Sequence, residues 1–352
     1  MADEPRLRET LSSVPEYRPG RPAPPGAFKL SSNENAYPPL PGVMAAIADA
    51  AATVNRYPDF ASGRLITALA EHHGVGEGWL ALGTGSVAVL AQTIQAVAGI
   101  GDEVIVPWRS FEAYPILVEL AGANLVSVPL RSDRGHDLEA MADAITGRTR
   151  LVMVCSPNNP TGTIVTRLEL DRFLERVPPD VLVAIDEAYL EFVRPADALD
   201  ALGLVSSHPN VMVLRTFSKA YGLAGLRVGY AVASPSIARG LRKTQLPFGV
   251  SSVAEIAALA SLAGGAELMR RVTEVMLERD RICAALDQMG ADFPEPHGNF
   301  VWLPLAEAAV SFAQTSERNG VIVRAFPGDG VRITVGEPEG NDRFLETVRE
   351  FR

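Results

Sequence analysis

Cysteine is scarce in this chain, which contains only Cys155 and Cys283. Two thiols cannot form a disulfide framework, and their small number fits a reducing compartment. An excess of positive charge is also missing, because 32 Lys and Arg residues stand against 42 Asp and Glu residues, a formal net charge of 32 − 42 = −10. An acidic chain is poorly suited to bind nucleic-acid phosphates or an anionic membrane surface, so we expect neither partner.

Long apolar runs are absent as well. The most apolar windows are interrupted by Gln92, Gln95 and Glu255, and none reaches the roughly 20 apolar residues that a membrane-spanning helix needs. The first ten residues are charged and lack the apolar core of a signal peptide, so we expect a cytoplasmic protein. The five histidines show no spacing typical of metal ligands, and we expect no metal site.

The 352 residues are enough for two domains, and a composition of 47% apolar and 21% charged residues is usual for a globular enzyme. Residues 1–35 are rich in proline and predict an extended N-terminal arm, which either lies across a neighbour or is a loose terminus. Residues 36–248 predict a large α/β domain. Residues 249–352 predict a smaller α+β domain with three short strands in NFVWLPL, GVIVRAF and GVRITVG.

In the large domain, apolar runs rich in β-branched residues alternate with helix-like stretches. The expected strands are DEVIVP (102–107), NLVSVPL (124–130), RLVMVCSP (150–157), VLVAIDE (181–187), NVMVLRTFS (210–218) and RVGYAVA (227–233). Such strands imply a mostly parallel sheet that helices cover on both faces. Polar clusters follow several of these strands, at the sheet edge where ligands bind in open α/β folds.

The strongest candidate for chemistry is the segment Thr216-Phe217-Ser218-Lys219, which Arg227 follows closely. A buried lysine amine loses its charge more easily than an exposed one and can then form a Schiff base. Two hydroxyl groups and an arginine nearby suit a phosphate monoester. A solvated surface turn would explain the segment equally well.

A second cluster begins with Asp186, which ends a five-residue apolar run. A partly buried carboxylate there needs a cation, and a protonated pyridine nitrogen would serve. Tyr189, three residues on, could donate a hydrogen bond to a phenolic oxygen. The alternative for Asp186 is a helix cap.

Two further clusters are weaker. The segment Ser156-Pro157-Asn158-Asn159-Pro160-Thr161-Gly162 predicts a rigid turn with outward amides, although a plain turn explains it as well. The segment Gly83-Thr84-Gly85-Ser86 opens a helix, where free N–H groups bind phosphate. It also matches a dinucleotide-binding pattern, but the acidic pair Asp102-Glu103 begins the next strand instead of ending it, which argues against NAD.

Together the clusters supply a Schiff-base lysine, a carboxylate for a ring nitrogen, polar groups for a ring oxygen and a phosphate cradle, a set that fits pyridoxal 5′-phosphate. From Tyr17 to its end, the sequence resembles the fold-type-I pyridoxal-phosphate-dependent aminotransferases, and among them the histidinol-phosphate aminotransferase subfamily. The shared motifs are SNEN (32–35), RYPD (56–59), SPNNPTG (156–162), DEAY (186–189), SKAYGLAGLR (218–227) and VRITVG (331–336). NFVWLPL and WRSFEAYP (108–115) favour the aromatic amino acid (phenylalanine) aminotransferases of that subfamily.

The resemblance implies a role for each matching residue. Lys219 would form the covalent link to the cofactor and move the proton at the substrate Cα, while Asp186 would pair with the pyridinium nitrogen. Asn159 and Tyr189 would bond the ring oxygen, and Phe111 would stack on the ring. The phosphate would be held by Gly85, Ser86, Thr216, Ser218 and Arg227, and by Tyr57 from the second subunit of a homodimer. The substrate would be bound by Tyr17, Asn33, Asn299, Arg324 and Arg332, of which Arg332 would clamp the α-carboxylate.

The resemblance leaves the substrate open between two possibilities. Arg324 stands where histidinol-phosphate enzymes bind the substrate phosphate, whereas aromatic residues such as Trp108 and Phe326 could form a pocket for an aromatic side chain. We expect an aromatic L-amino acid such as phenylalanine as donor, 2-oxoglutarate as acceptor and ping-pong kinetics. Histidinol phosphate is the alternative donor, and a decarboxylase of phosphorylated threonine is the rival reaction class.

Overall fold

The computed structural model describes residues 5, 7–12, 14–17, 19–194, 196 and 199–351. The other residues of the predicted arm (1–4, 6, 13, 18), large domain (195, 197, 198) and small domain (352) lie outside the described residues. The strands are Phe28–Lys29 (β1), Leu80–Gly83 (β2), Glu103–Trp108 (β3), Asn124–Pro129 (β4), Thr149–Cys155 (β5), Leu182–Asp186 (β6), Val211–Thr216 (β7), Gly229–Ala233 (β8), Phe300–Leu303 (β9), Val321–Ile322 (β10), Arg324–Phe326 (β11) and Gly330–Thr334 (β12). The helices are Pro41–Ala51 (α1), Gly63–His73 (α2), Ser86–Val97 (α3), Ala113–Ala121 (α4), Leu138–Asp143 (α5), Arg167–Leu174 (α6), Ala201–Ser207 (α7), Pro235–Lys243 (α8), Ser252–Ala263 (α9), Gly265–Gln288 (α10), Ala309–Arg318 (α11) and Pro338–Phe351 (α12).

The large sheet has seven strands in the order β2-β8-β7-β6-β5-β3-β4. Strand β8 is antiparallel to both of its neighbours, and the other four pairings are parallel. The mostly parallel α/β sheet predicted from the sequence is therefore confirmed, and so are its six predicted strands. Strand β2 escaped prediction because four residues, LALG, are too few to show a pattern beside a helix-like stretch.

The alternation of side chains along β6 and β7 decides which face of the sheet carries the polar ends. Leu182 and Ala184 of β6, like Met212 and Leu214 of β7, pack in the apolar core against helices α3 and α4. Because side chains repeat every two residues along a strand, Asp186 and Thr216 continue these two rows on the same face. Asp186 and Thr216 therefore end neighbouring strands on the side of the sheet that α3 and α4 cover.

A second apolar core, separate from the residues that pack against the large sheet, lies around a three-stranded antiparallel sheet in the order β11-β12-β9. The sequence predicted three strands after residue 249, but the structure has four, β9 to β12. The predicted number is wrong because GVIVRAF divides into β10 and β11. Strand β10 pairs in parallel with β1, so the predicted arm is attached to this part of the molecule. Leu30, next to β1, is completely buried in the second core.

Helices α9 and α10 form the predicted long helical stretch with a break beside Gly264, and they meet at a bend of 83°. Among the described residues, no single helix is long and apolar enough to cross a membrane, and only this bent pair taken together satisfies a test of length and composition. Ala254, Ala257 and Ala258 of α9 pack in the core below the large sheet, on the far side of the predicted domain boundary at residue 248. That boundary stays a prediction.

Candidate active site

A cavity of about 500 Å³ lies where the strands β6 and β7 end. Its walls combine the ends of these strands, the beginning of α3, the segment that leads into α4, the strands β11 and β12, and part of the N-terminal arm. The predicted site residues that line it are Tyr17, Ser86, Phe111, Asn159, Asp186, Tyr189, Thr216, Ser218, Lys219, Arg227, Arg324 and Arg332. The fold thus brings together residues that are more than 300 positions apart in the chain.

Lys219 extends into this cavity from the turn after β7. Its Nζ lies 3.4 Å from the carbonyl oxygen of Ser32 and 3.3 Å from that of Asn33, to which it donates. Burial, and after it the positive charge of Arg332, lowers the pKa of Lys219 to about 7. An amine with such a pKa is partly neutral at neutral pH, as nucleophilic attack and proton transfer require.

Asp186 is buried at the end of β6 and accepts two hydrogen bonds. The Tyr114 hydroxyl donates to Oδ2 at 2.7 Å, and the Ala188 N–H donates to Oδ1 at 3.2 Å. Burial raises the pKa of the Asp186 carboxyl, while the two hydrogen bonds and the charge of Lys219 oppose that rise. A carboxylate held in this way is suited to bind a cationic group that enters the cavity.

The hydrogen-bond donors that suit a phosphate group lie together at one end of the cavity. The Arg227 Nη1 donates to the Ser218 Oγ at 3.0 Å, and the Ser218 N–H donates to the Thr216 Oγ1 at 3.1 Å. Gly85 precedes α3 with a φ of +86°, and a Cβ at this position would collide with the Arg227 guanidinium. Arg227 itself has a left-handed φ of +58°, a strained conformation that is concentrated at functional sites. Free N–H groups at the start of α3, a guanidinium and two hydroxyls therefore form a cradle for an anion.

Arg332 of β12 is buried in the opposite wall. Its Nη1 donates to the Asn159 Oδ1 at 2.5 Å, and its Nη2 donates to the Ser31 carbonyl oxygen at 2.8 Å. Its Nε is buried and has no hydrogen-bond partner among the described residues. A buried guanidinium that has only neutral partners retains an uncompensated charge, so a carboxylate ligand would stabilise it.

Asn33 and Asn299 do not line the cavity but lie directly behind its wall, and both are completely or almost completely buried. The Asn33 Nδ2 donates to the Tyr189 hydroxyl at 2.9 Å, and the Asn299 Nδ2 donates to the Asn33 carbonyl oxygen at 3.2 Å. Their contacts position Tyr189 and the 31–33 segment. Direct contact of these two asparagines with a substrate stays a prediction.

Tyr57 is far more exposed than the other predicted residues, at 83% of its surface, and it does not reach the cavity of its own chain. Its ring packs against Phe248, with the ring centroids 4.8 Å apart. Tyr17 is also exposed, but it lines the cavity entrance together with Pro19 and Gly20 of the arm.

Among the residues that sequence reasoning missed, Tyr114 and Glu112 make hydrogen bonds to predicted site residues. Tyr114 donates to Asp186, and Glu112 accepts from Arg324 at 2.8 Å and 3.0 Å. Both belong to the WRSFEAYP segment, and Tyr114 lies three residues after Phe111, a spacing that places side chains on one side of a helical turn. The spacing of Phe111 and Tyr114 was the sequence feature from which Tyr114 could have been predicted to lie near the site. Within the part of the chain that the structure describes, no group of three or more His, Cys, Asp or Glu residues could hold a metal ion.

Known proteins match this chain over nearly its full length. The family model for aminotransferase class I and II matches residues 25–348. An aromatic amino acid aminotransferase of Streptomyces coelicolor is 57% identical over 351 residues, which cover 99% of this chain and 98% of that protein. The structure of histidinol-phosphate aminotransferase from Sinorhizobium meliloti in complex with pyridoxal 5′-phosphate has a TM-score of 0.89 at 29% identity and covers 100% of both chains. The structure of L-threonine-O-3-phosphate decarboxylase from Porphyromonas gingivalis has a TM-score of 0.80 at 22% identity over 92% of this chain and 99% of that one, which shows a shared fold.

Proposed function

The chain belongs to the class I and II aminotransferases, and from that premise we propose that it is a pyridoxal 5′-phosphate-dependent aromatic amino acid transaminase. It moves an amino group from an aromatic L-amino acid such as phenylalanine to a 2-oxo acid, for which 2-oxoglutarate is the first candidate. One observation carries the proposal. A half-buried lysine amine, a buried aspartate and an anion cradle face a single cavity that contains a second cation for a carboxylate.

The donors and acceptors of the cavity fit the cofactor. Arg227, Ser218, Thr216 and the N–H groups at the start of α3 suit its phosphate, and Asp186 suits its protonated ring nitrogen. Phe111 lies beside Ala113 in the cavity wall and offers an aromatic face for a planar ring. When bound, pyridoxal 5′-phosphate supplies a carbonyl with which amines condense and a cationic ring that takes up the electrons of the Cα–H bond.

The residues of the chain supply the remaining steps. In the first half-reaction Lys219 would accept the proton from the Cα of the amino donor and release it within the site, because the departing 2-oxo acid has no hydrogen on that carbon. In the second half-reaction it would supply the Cα proton of the new amino acid. Its pKa of about 7 allows both transfers near neutral pH. Asp186 keeps a proton on the ring nitrogen, and Tyr114 and the Ala188 N–H keep that carboxylate in place. Arg332 binds the α-carboxylate, and this contact orients the Cα–H bond towards Lys219.

We also propose a cytoplasmic homodimer whose two active sites share residues. Both cysteines of the chain are free thiols, as a reducing compartment favours. Four large apolar or aromatic residues are exposed together, and the Phe248 ring packs against the rings of Tyr57 and Phe60; the fourth residue is Leu246. A patch of this kind is typical of a subunit interface, and it would direct Tyr57 towards the site of the partner subunit.

A single-turnover experiment tests the proposal. The protein is saturated with pyridoxal 5′-phosphate and mixed separately with L-phenylalanine and with histidinol phosphate, and the absorbance change of the cofactor is followed. We expect fast conversion with phenylalanine, and none in the Lys219→Ala variant. Lys243→Ala, which changes an exposed lysine at the end of α8, is the matched control and should behave as the unaltered protein.

Histidinol phosphate is the second candidate donor because Arg324 gives the cavity a further cation. Rapid conversion with histidinol phosphate and none with phenylalanine would replace the aromatic substrate by a phosphorylated one. Release of carbon dioxide from phosphorylated threonine, with neither amino donor converted, would move the protein to the decarboxylases instead.

A further inference from the structure

Two arginines face each other across the small sheet. Arg324 of β11 and Arg332 of β12 are direct partners in the antiparallel register, and both line the cavity. Directly opposed like charges destabilise a strand pair unless a counter-charge is close. The hydrogen-bond acceptors of Arg332 are neutral, so the carboxylate that is paired with one of the two arginines is found at Arg324.

Glu112 supplies that charge. Its Oε1 and Oε2 accept hydrogen bonds from the Arg324 Nη2 at 3.0 Å and 2.8 Å, and the Arg324 Nη1 donates to the Pro19 carbonyl oxygen at 3.0 Å. The pair is mostly shielded, with 15% of the Arg324 side chain and 30% of the Glu112 side chain exposed. Ion pairs that are partly removed from water interact more strongly than exposed ones.

Glu112 lies at the boundary between the polar and the apolar walls of the cavity. It directly precedes α4, whose residues Ile116 and Leu117 also line the cavity, and it directly follows Phe111. A ligand whose carboxylate occupies Arg332 would extend its other end either towards this apolar wall or towards Arg324. Glu112 therefore occupies the position at which a charged and an uncharged side chain would be distinguished.

We propose that Glu112 is a specificity-determining residue, because it competes with an acidic group of the substrate for Arg324. A substrate with a second carboxylate or a phosphate must displace Glu112 and leave that carboxylate without its partner, whereas an aromatic side chain leaves the ion pair intact. The cavity consequently favours uncharged side chains over acidic ones, and 2-oxoglutarate as the acceptor would have to displace Glu112 from Arg324 in order to bind. This inference rests on the proposed function in one respect, namely that Arg332 binds the α-carboxylate.

Two carboxylates without an amino group test the inference without turnover. Glutarate carries a second carboxylate, and 3-phenylpropanoate carries an aromatic ring in its place. Their dissociation constants are measured by calorimetry on the protein saturated with pyridoxal 5′-phosphate. In Glu112→Gln, which keeps the size of the side chain, we expect glutarate to bind about tenfold more tightly and 3-phenylpropanoate to bind within about twofold of the unaltered protein.

The matched control removes a carboxylate from a neighbouring ion pair. Asp329 accepts a hydrogen bond from Arg109 at 2.8 Å. This pair, like Arg324 and Glu112, joins the hairpin of β11 and β12 to the 108–115 segment, but neither Arg109 nor Asp329 lines the cavity. Asp329→Asn should leave the ratio of the two dissociation constants unchanged. An equal gain in Asp329→Asn, or an equal gain for both ligands in Glu112→Gln, would reduce the effect to general electrostatics and overturn the inference.

Arg324→Gln provides a second, independent variant. We expect it to weaken glutarate binding about tenfold and to leave 3-phenylpropanoate unaffected, and an unchanged glutarate affinity would overturn the inference even if Glu112→Gln failed to fold. Failure of the proposed function has a different signature. In that case the unaltered protein would bind neither carboxylate and would not convert phenylalanine. If the unaltered protein binds both carboxylates and converts phenylalanine, but Glu112→Gln leaves the ratio of the two dissociation constants unchanged, only the role of Glu112 is refuted.

Discussion

Lys219 shows how burial changes the chemistry of a single residue. Removal of its ammonium group from water, together with the nearby charge of Arg332, lowers its pKa from the usual value near 10.5 to about 7. A group with a depressed folded-state pKa binds fewer protons in the folded than in the unfolded protein between these two values. The free energy of unfolding therefore rises with pH across the window from about 7 to about 10.5.

We predict that Lys219→Met stabilises the cofactor-free protein near pH 7 and loses this advantage as the pH approaches 10. The lysine penalty is present in full below its folded pKa and disappears above its unfolded pKa. After allowance for partial contact with the cavity, the difference near pH 7 is on the order of 3 kcal/mol. Urea unfolding at pH 7 and at pH 9.5 measures it.

Lys243→Met is the control for this experiment, because Lys243 is exposed in the last turn of α8. It should change the free energy of unfolding little and equally at both pH values. A stabilisation by Lys219→Met that is independent of pH would show that packing of the methionine, and not the buried charge, is responsible.

At the scale of elements, the anion cradle depends on a close approach between the start of α3 and the turn that precedes β8. The approach needs glycine at position 85, because its φ is +86° and the Arg227 guanidinium occupies the space of a Cβ. Gly229 of β8 has a similar role, since a Cβ there would collide with the backbone of Ser86.

Gly85→Ala should therefore displace Arg227 and weaken the binding of pyridoxal 5′-phosphate by about thirtyfold or more, through both strain and lost contacts. Fluorescence titration of the cofactor-free protein measures the dissociation constant. Gly147→Ala is the matched control, because Gly147 has open space around its Cβ position and no positive φ. A cofactor affinity that Gly85→Ala leaves unchanged would contradict the placement of the phosphate at this cradle.

At the scale of the whole molecule, the predicted sharing of Tyr57 between subunits gives a complementation test. Lys219→Ala inactivates the site of its own subunit, and Tyr57→Ala impairs the site of the partner subunit. A mixed dimer of the two variants contains one intact site, so random mixing should restore about a quarter of the unaltered activity.

The control for this mixing experiment combines Lys219→Ala with Asp186→Asn. Both residues line the cavity of their own chain, so every mixed dimer lacks an intact site and no activity should return. Recovery in the first mixture alone supports a shared site. Equal results in both mixtures would contradict the role of Tyr57 in the partner subunit.

The class of fold and about half of the residues that line the cavity could be predicted from the sequence alone. Apolar strands of five to seven residues, such as β5 and β6, are visible because burial on both faces requires continuous apolar runs. Asp186 and Lys219 are visible because a charged residue just beyond such a run lies at the edge of the sheet. These signals are local, and they survive without knowledge of the tertiary structure.

The contacts between distant segments depend on how the chain packs, and local sequence patterns do not reveal them. The Tyr114–Asp186 bond joins residues 72 positions apart, and the Arg324–Glu112 pair joins residues 212 positions apart. The same holds for Asn33 and Asn299, which lie behind the cavity wall, and for the division of GVIVRAF between two sheets. Side-chain periodicity reports which face of an element is buried, but the partner on that face depends on how the elements pack, and packing is a property of the whole chain.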